Sequence, residues 1–252
     1  MLDGVTDGVF SRAMKGKPTV PPVTYRSEAM RLMQGGGVLS ADFWVSLGAD
    51  FSIGPNTDKP LDRWAEGFLP ESVAETAKAF ADAPTEPWTS SRPLPPASPP
   101  TRWPWLFASG LLIVAAIVLT RGWPWTILIG AWWLASGLGG LFMTYVWLFT
   151  DHTAGYANQN LWHFSPIAWL ALLAAMFRQR GLAAKLARSI AGLSVVGAAV
   201  WVAGRLGAPF AQANGGFILL ALPINLAVAW AARPAVAKAA LTKPDAAADM
   251  AG

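Results

Sequence analysis

Residues 123–150 read WPWTILIGAWWLASGLGGLFMTYVWLFT, with no Asp, Glu, Lys or Arg at any position. About 20 mostly apolar residues in a helix suffice to cross the hydrocarbon core of a bilayer. This stretch is longer than that, which leaves room for tilt. It predicts a transmembrane helix, and the sequence on either side repeats the pattern. Residues 103–120 are uncharged after Arg102. Further apolar runs follow at about 161–177, 186–204 and 216–232. In the fourth of these Arg188 lies near one end, where a long side chain can snorkel to the interface. The expected fold class is mainly α: a polytopic five-helix transmembrane bundle behind a small, mostly helical and incomplete soluble segment.

Charge divides the chain in the same way. Residues 1–102 hold ten Lys/Arg and twelve Asp/Glu, a net of −2; residues 103–252 hold nine and three, a net of +6. Overall only 13% of residues are charged, against about 25% in ordinary soluble domains. The positive balance is not a nucleic-acid footprint, because the basic residues sit in short connections between apolar runs. Loop one carries Arg121. Loop three carries Arg178, Arg180, Lys185 and Arg188, and the tail carries Arg233, Lys238 and Lys243. Loop two, residues 151–160, has no Lys or Arg, and loop four has only Arg205. The positive-inside rule then puts the tail in the cytoplasm and residues 1–102 outside. Trp103, Trp105, Trp123 and Trp125 suit an aromatic belt.

The expected division is a partial soluble domain outside the membrane (1–83), a proline-rich linker (84–102), the five-helix domain (103–236) and a cytoplasmic tail (237–252). Eight of the 21 residues from Pro84 to Pro104 are proline, which fixes φ and removes donors, so an extended spacer is expected. Before it, residues 27–33 and 70–81 read as helices, the second opened by Pro70 and Glu71. Residues 54–60, GPNTDKP, are turn chemistry.

There is no cysteine, so this chain supplies no disulfide, thiolate metal site or cysteine nucleophile. No phosphate loop, zinc spacing, nucleophile elbow or dinucleotide fingerprint is present. No cofactor is expected, and without ionisable pairs inside the spans a proton-coupled transporter is disfavoured. The two histidines, His152 and His163, fall on or near loop two. Asp151 beside His152 offers a candidate general base at a membrane surface, although neighbours in sequence do not face each other on a helix. Tyr156, Asn158 and Asn160 suit lipid or substrate contact, or a plain interfacial loop. Arg26 suits an anionic headgroup or open water. Ser136 with Gly140 and Ala135 with Gly139 have small-xxx-small spacing, which serves a close helix seam or is ordinary glycine-rich membrane composition. Pro223 and Asn225 predict a kink with a structural hydrogen bond.

Tyr25-Arg26-Ser27, Gly54 to Asp58, Trp64 and Phe68-Leu69-Pro70 resemble the closing part of a bacterial periplasmic domain associated with Lnb-type lipoprotein N-acylation. Phe149-Thr150-Asp151-His152, Asn158-Gln159-Asn160-Leu161, Ser165-Pro166, Asn214-Gly215-Gly216 and Ala221-Leu222-Pro223 resemble the same family's five-helix membrane domain. The resemblance implies acyl transfer onto the amino-terminal cysteine of lipoproteins at the inner membrane, with lipids and lipoproteins as partners and no nucleic acid. It also implies a cysteine nucleophile in an Asn-Cys-Ser/Thr stretch just before the segment similar to Leu2-Asp3-Gly4-Val5. The chain starts after that point and residues 1–7 are not a signal peptide. A truncated chain, inactive alone in cysteine-dependent transfer, is therefore expected. The rival expectation is a non-enzymatic membrane scaffold or binding subunit.

Overall fold

The computed structural model describes residues 7–33, 41–78, 96–207 and 212–233. The described residues are mainly helical, with two isolated β-bridges and no strand. Residues 84–95 of the expected linker and the tail at 237–252 lie outside them, as do residues 79–81 of the expected second soluble helix. The chain forms two compact units. One comprises residues 1–50 and 56–100; the other comprises residues 51–55 and 101–252. The second unit thus takes in five residues that come well before the linker.

The first unit contains α1 (Val9–Met14), α2 (Tyr25–Leu32), most of α3 (Ala41–Ser52) and α4 (Pro70–Lys78), with a 3-10 turn at Ala65–Phe68. A capping box starts α2. Thr24 Oγ1 accepts from the Ser27 amide at 3.0 Å, and Ser27 Oγ accepts from the Thr24 amide at 2.9 Å. These reciprocal bonds satisfy donors that a helix start leaves open. The buried apolar side chains among the described residues here are Met14, Met30 and Leu69, a thin core, and ion pairs accompany it. Arg26 Nε lies 2.7 Å from Asp58 Oδ1, and its Nη1 lies 2.8 Å from Asp50 Oδ1. Arg31 pairs with Glu28 at 2.7 Å and Glu71 at 3.2 Å, and these carboxylates raise its already high pKa. The helix α3 was not expected: its residues lack a clean helical stripe, and its pattern is interrupted by Gly48.

The second unit contains α5 (Trp103–Leu119), α6 (Trp123–Phe149), α7 (Ile167–Met176), α8 (Arg180–Arg205) and α9 (Gly215–Ala231), with 3-10 turns at Thr153–Gly155 and Gln159–Trp162. Pro104 and Pro124 sit in the first turns of α5 and α6, where the missing N–H has no helical partner to lose. The helices α6 and α8 are long and apolar enough to cross a membrane; α5, α7 and α9 are shorter apolar helices. Three expected spans match their helices to within a residue. The third does not: its regular helix starts at Ile167 because residues 158–166 form a 3-10 turn and a proline-led start. The fourth begins at Arg180 rather than 186, since the positively charged residues of the expected loop three are good helix formers and continue α8. Only residues 177–179 separate it from α7, with Arg178 at φ +59°.

The order of packing is α5 against α9, α9 against α8, α8 against α7 and α7 against α6. Glycines set the closest approaches. A Cβ on Gly110 would lie 2.9 Å from the Leu220 carbonyl oxygen, and one on Gly140 would lie 2.5 Å from Pro166 N. The small-residue seam of α6 is therefore used inside the chain, against the start of α7.

Candidate functional site

Loop two has no Lys or Arg and loop four only Arg205, and both carry amide side chains. The structure joins them. Gln159 N donates to Gln212 Oε1 at 2.7 Å, and Gln212 N donates to Gln159 Oε1 at 3.0 Å. Asn214 Nδ2 donates to Asn160 Oδ1 at 2.9 Å. Asn158 Oδ1 receives both the Asn160 amide, at 2.9 Å, and Gln212 Nε2, at 3.2 Å. Asn158, Asn160, Gln212 and Asn214 are all buried. Buried amides need such partners, because each unmatched one costs about 1–3 kcal/mol.

The remaining donors of this cluster hold a third piece of chain. Asn158 Nδ2 and Asn160 Nδ2 donate to the Phe51 carbonyl at 2.9 and 2.8 Å. Gln212 Nε2 donates to the Ile53 carbonyl at 3.0 Å, and the Gly54 amide donates to the Ala154 carbonyl at 2.6 Å. Residues 51–54 are thus bound through their backbone, by groups a hundred or more positions away in sequence. A Cβ on Gly54 would run into the Tyr156 carbonyl oxygen, so glycine is required for this approach.

The Phe51 ring enters the helices. It meets Phe164 edge-on at 5.0 Å and Phe217 at 5.4 Å. Gly139 leaves room for it, since a Cβ there would lie 3.0 Å from Phe51 Cζ. Deeper, Asn225 joins three elements. It accepts from Trp132 Nε1 at 2.8 Å, and its Nδ2 donates to the His163 carbonyl at 2.9 Å and to Ser194 Oγ at 2.7 Å. Ser194 Oγ donates in turn to the Trp162 carbonyl at 3.2 Å. The helix α9 runs through Pro223 without a break.

The residues singled out from the sequence therefore separate. Asp151 and His152 are exposed at the rim of loop two, and no ion pair or side-chain hydrogen bond between them occurs among the described residues. Tyr156 is half-buried, its hydroxyl donating to the Thr150 carbonyl at 2.8 Å. Asn158 and Asn160, expected at the lipid or substrate interface, are instead buried in the amide cluster, where both side chains donate to the Phe51 carbonyl. Arg26, expected at a headgroup or in water, is 5% exposed and held by two carboxylates. His163 is fully buried, with Nε2 beside Gly197. Among the described residues no group of His, Asp and Glu could hold a metal ion.

Phe51 and Gln212 were missed. The available signal was the pair of amide tripeptide stretches, 158–160 and 212–214, each flanking an apolar run. Comparison with family models, curated proteins and solved structures finds no match.

Proposed function

We propose that this chain is a multi-pass inner-membrane protein of the lipoprotein N-acylation type. In this reading α5 to α9 form a five-helix transmembrane bundle, residues 1–50 and 56–100 are periplasmic, and the C-terminus is cytoplasmic. The bundle binds and positions, because the chain has no cysteine to act as nucleophile.

One observation carries the reading: the helical unit has two chemically different ends. At one end loops two and four close over residues 51–54 with uncharged amides. At the other, Gly122, Arg178, Arg180 and Ala232 come together around one cavity. This is the distribution that the positive-inside rule requires of a bundle whose basic end faces the cytoplasm. Asp151 and His152 stand exposed at the amide end, where a periplasmic lipid or lipoprotein would arrive. The quoted motifs supply the family.

Disruption of the gene in its host, followed by mass spectrometry of lipoprotein amino-terminal peptides, tests this. The reading predicts loss of the N-acylated form. Unchanged N-acylation would reject it. The absence of cysteine favours a second reading, a scaffold or binding subunit, which predicts unchanged N-acylation and a stable partner that co-purifies with the intact chain.

A further inference from the structure

The basic end of the helical unit holds a cavity of about 490 Å³. Its walls are apolar: Ile129 and Trp133 from α6, Leu172 from α7, and Ala183 and Ala184 from α8. Gly130 also faces it, and a Cβ there would meet only the tip of Leu172, at 3.8 Å. The volume lies within the range of small-molecule sites, about 300–1,000 Å³. At its exposed edge Arg178 and Arg180 line it, from the connection after α7 and the first residue of α8.

Both arginines are exposed, and among the described residues no carboxylate pairs with either. Of the three acids in residues 103–252, Asp151 lies at the opposite end of α6, and Asp245 and Asp249 fall outside the described residues. An apolar cleft between helices with two guanidinium groups at its mouth, neither paired with a carboxylate among the described residues, complements a molecule with a hydrocarbon chain and an anionic head. Arginine is suited to phosphate by its fixed fork of donors. A neutral or cationic amphiphile would leave that charge unanswered.

We infer that this cavity is a binding site for an anionic phospholipid of the adjoining leaflet, with one acyl chain between α6, α7 and α8 and the phosphate at Arg178 and Arg180. The inference rests on the membrane reading proposed above. The site lies at the opposite end from the amide cluster, and its occupant is therefore distinct from any substrate reaching Asp151 and His152.

The test uses the full chain purified in a neutral detergent, with phosphatidylglycerol or phosphatidylcholine of identical acyl chains added and retained lipid measured by native mass spectrometry. Phosphatidylglycerol should be retained in preference, by about tenfold or more, as expected for two arginines near an anionic head. The double variant R178Q/R180Q should abolish the preference while keeping the chain folded. Gly130→Leu should lower retention of both lipids by filling the cleft from within. Equal retention of the two lipids, or a preference unchanged in R178Q/R180Q, would overturn the assignment. So would loss of the preference on adding inorganic phosphate at the lipid's concentration, which would make the arginines a site for the free ion. Failure of the membrane reading is separately visible: the chain would then be recovered from cells in the aqueous fraction without detergent, before any lipid is added.

Discussion

Trp132 on α6 donates its indole N–H to Asn225 on α9 across 2.8 Å, both side chains buried and 93 positions apart. Asn225 answers with two donors of its own, to the His163 carbonyl and Ser194 Oγ. One amide thus ties α6, α8 and α9 to the turn that precedes α7.

Replacing Asn225 by Leu should therefore destabilise the helical unit by about 1–3 kcal/mol, the cost of leaving buried polar partners unmatched. Polar contacts between membrane helices often contribute less, about 0.6 kcal/mol on average, so the three-way connection is what raises the expectation. Unfolding in mixed detergent, followed by tryptophan fluorescence, reads it. A midpoint equal to that of the unchanged protein would refute the role given to Asn225.

Two glycine substitutions separate packing from helix propensity. Gly140→Ala places a Cβ 2.5 Å from both Phe164 O and Pro166 N, backbone atoms that cannot turn aside. It should cost at least about 1–3 kcal/mol, as overpacking does. Gly192→Ala meets nothing within 4 Å and should be neutral or stabilising, since Ala is the better helix former. Equal melting temperatures for the two variants would contradict the close approach of α6 to the start of α7.

In the first unit, Arg26→Met leaves Asp50 and Asp58 without the guanidinium that holds them. Loss of one partner from a buried ion pair typically costs about 3–5 kcal/mol. Asp50 is 21% exposed, which places the expected loss at the lower end. Limited proteolysis of the full chain should show faster cleavage within residues 7–78. Protection equal to the unchanged protein would show that Arg26 contributes only a surface charge.

Asp62 makes the acid response predictable. Its carboxylate accepts from the Ala65 amide at 2.7 Å and the Gly16 amide at 2.9 Å. These bonds, that from Ala65 first, lower its pKa from the ordinary carboxylate value. A depressed folded-state pKa contributes stability that is present above the unfolded value and lost as pH falls through the folded one. The melting temperature of Asp62→Asn should therefore lie below that of the parent at pH 7, and the gap should close in acid. A gap independent of pH would refute the linkage.

The apolar runs made α5, α6 and α9 readable to within a residue, because each is a long uncharged stretch opened by Trp-Pro or Gly. The start of α7 was not readable. Asn158 and Asn160 stop the helix there by accepting and donating locally, and composition alone does not show where a chain will turn. The amide cluster was legible only as polar residues in two loops. Its third component, residues 51–54, lies before the proline-rich stretch, and nothing local in that sequence indicates that its carbonyls meet Asn158, Asn160 and Gln212. Arg26 was misplaced for the same reason: its partners Asp50 and Asp58 are 24 and 32 positions away.

The two-ended bundle is tested most directly by thiol labelling, since these 252 residues hold no cysteine and each one introduced into them is unique. Asp151→Cys marks the amide end, and Gly181→Cys, exposed and with nothing within 4 Å, marks the basic end. With a membrane-impermeant maleimide on spheroplasts, Asp151→Cys should label at once and Gly181→Cys only after the membrane is permeabilised. Labelling of both from the same side would contradict a bundle that crosses the membrane between its two ends.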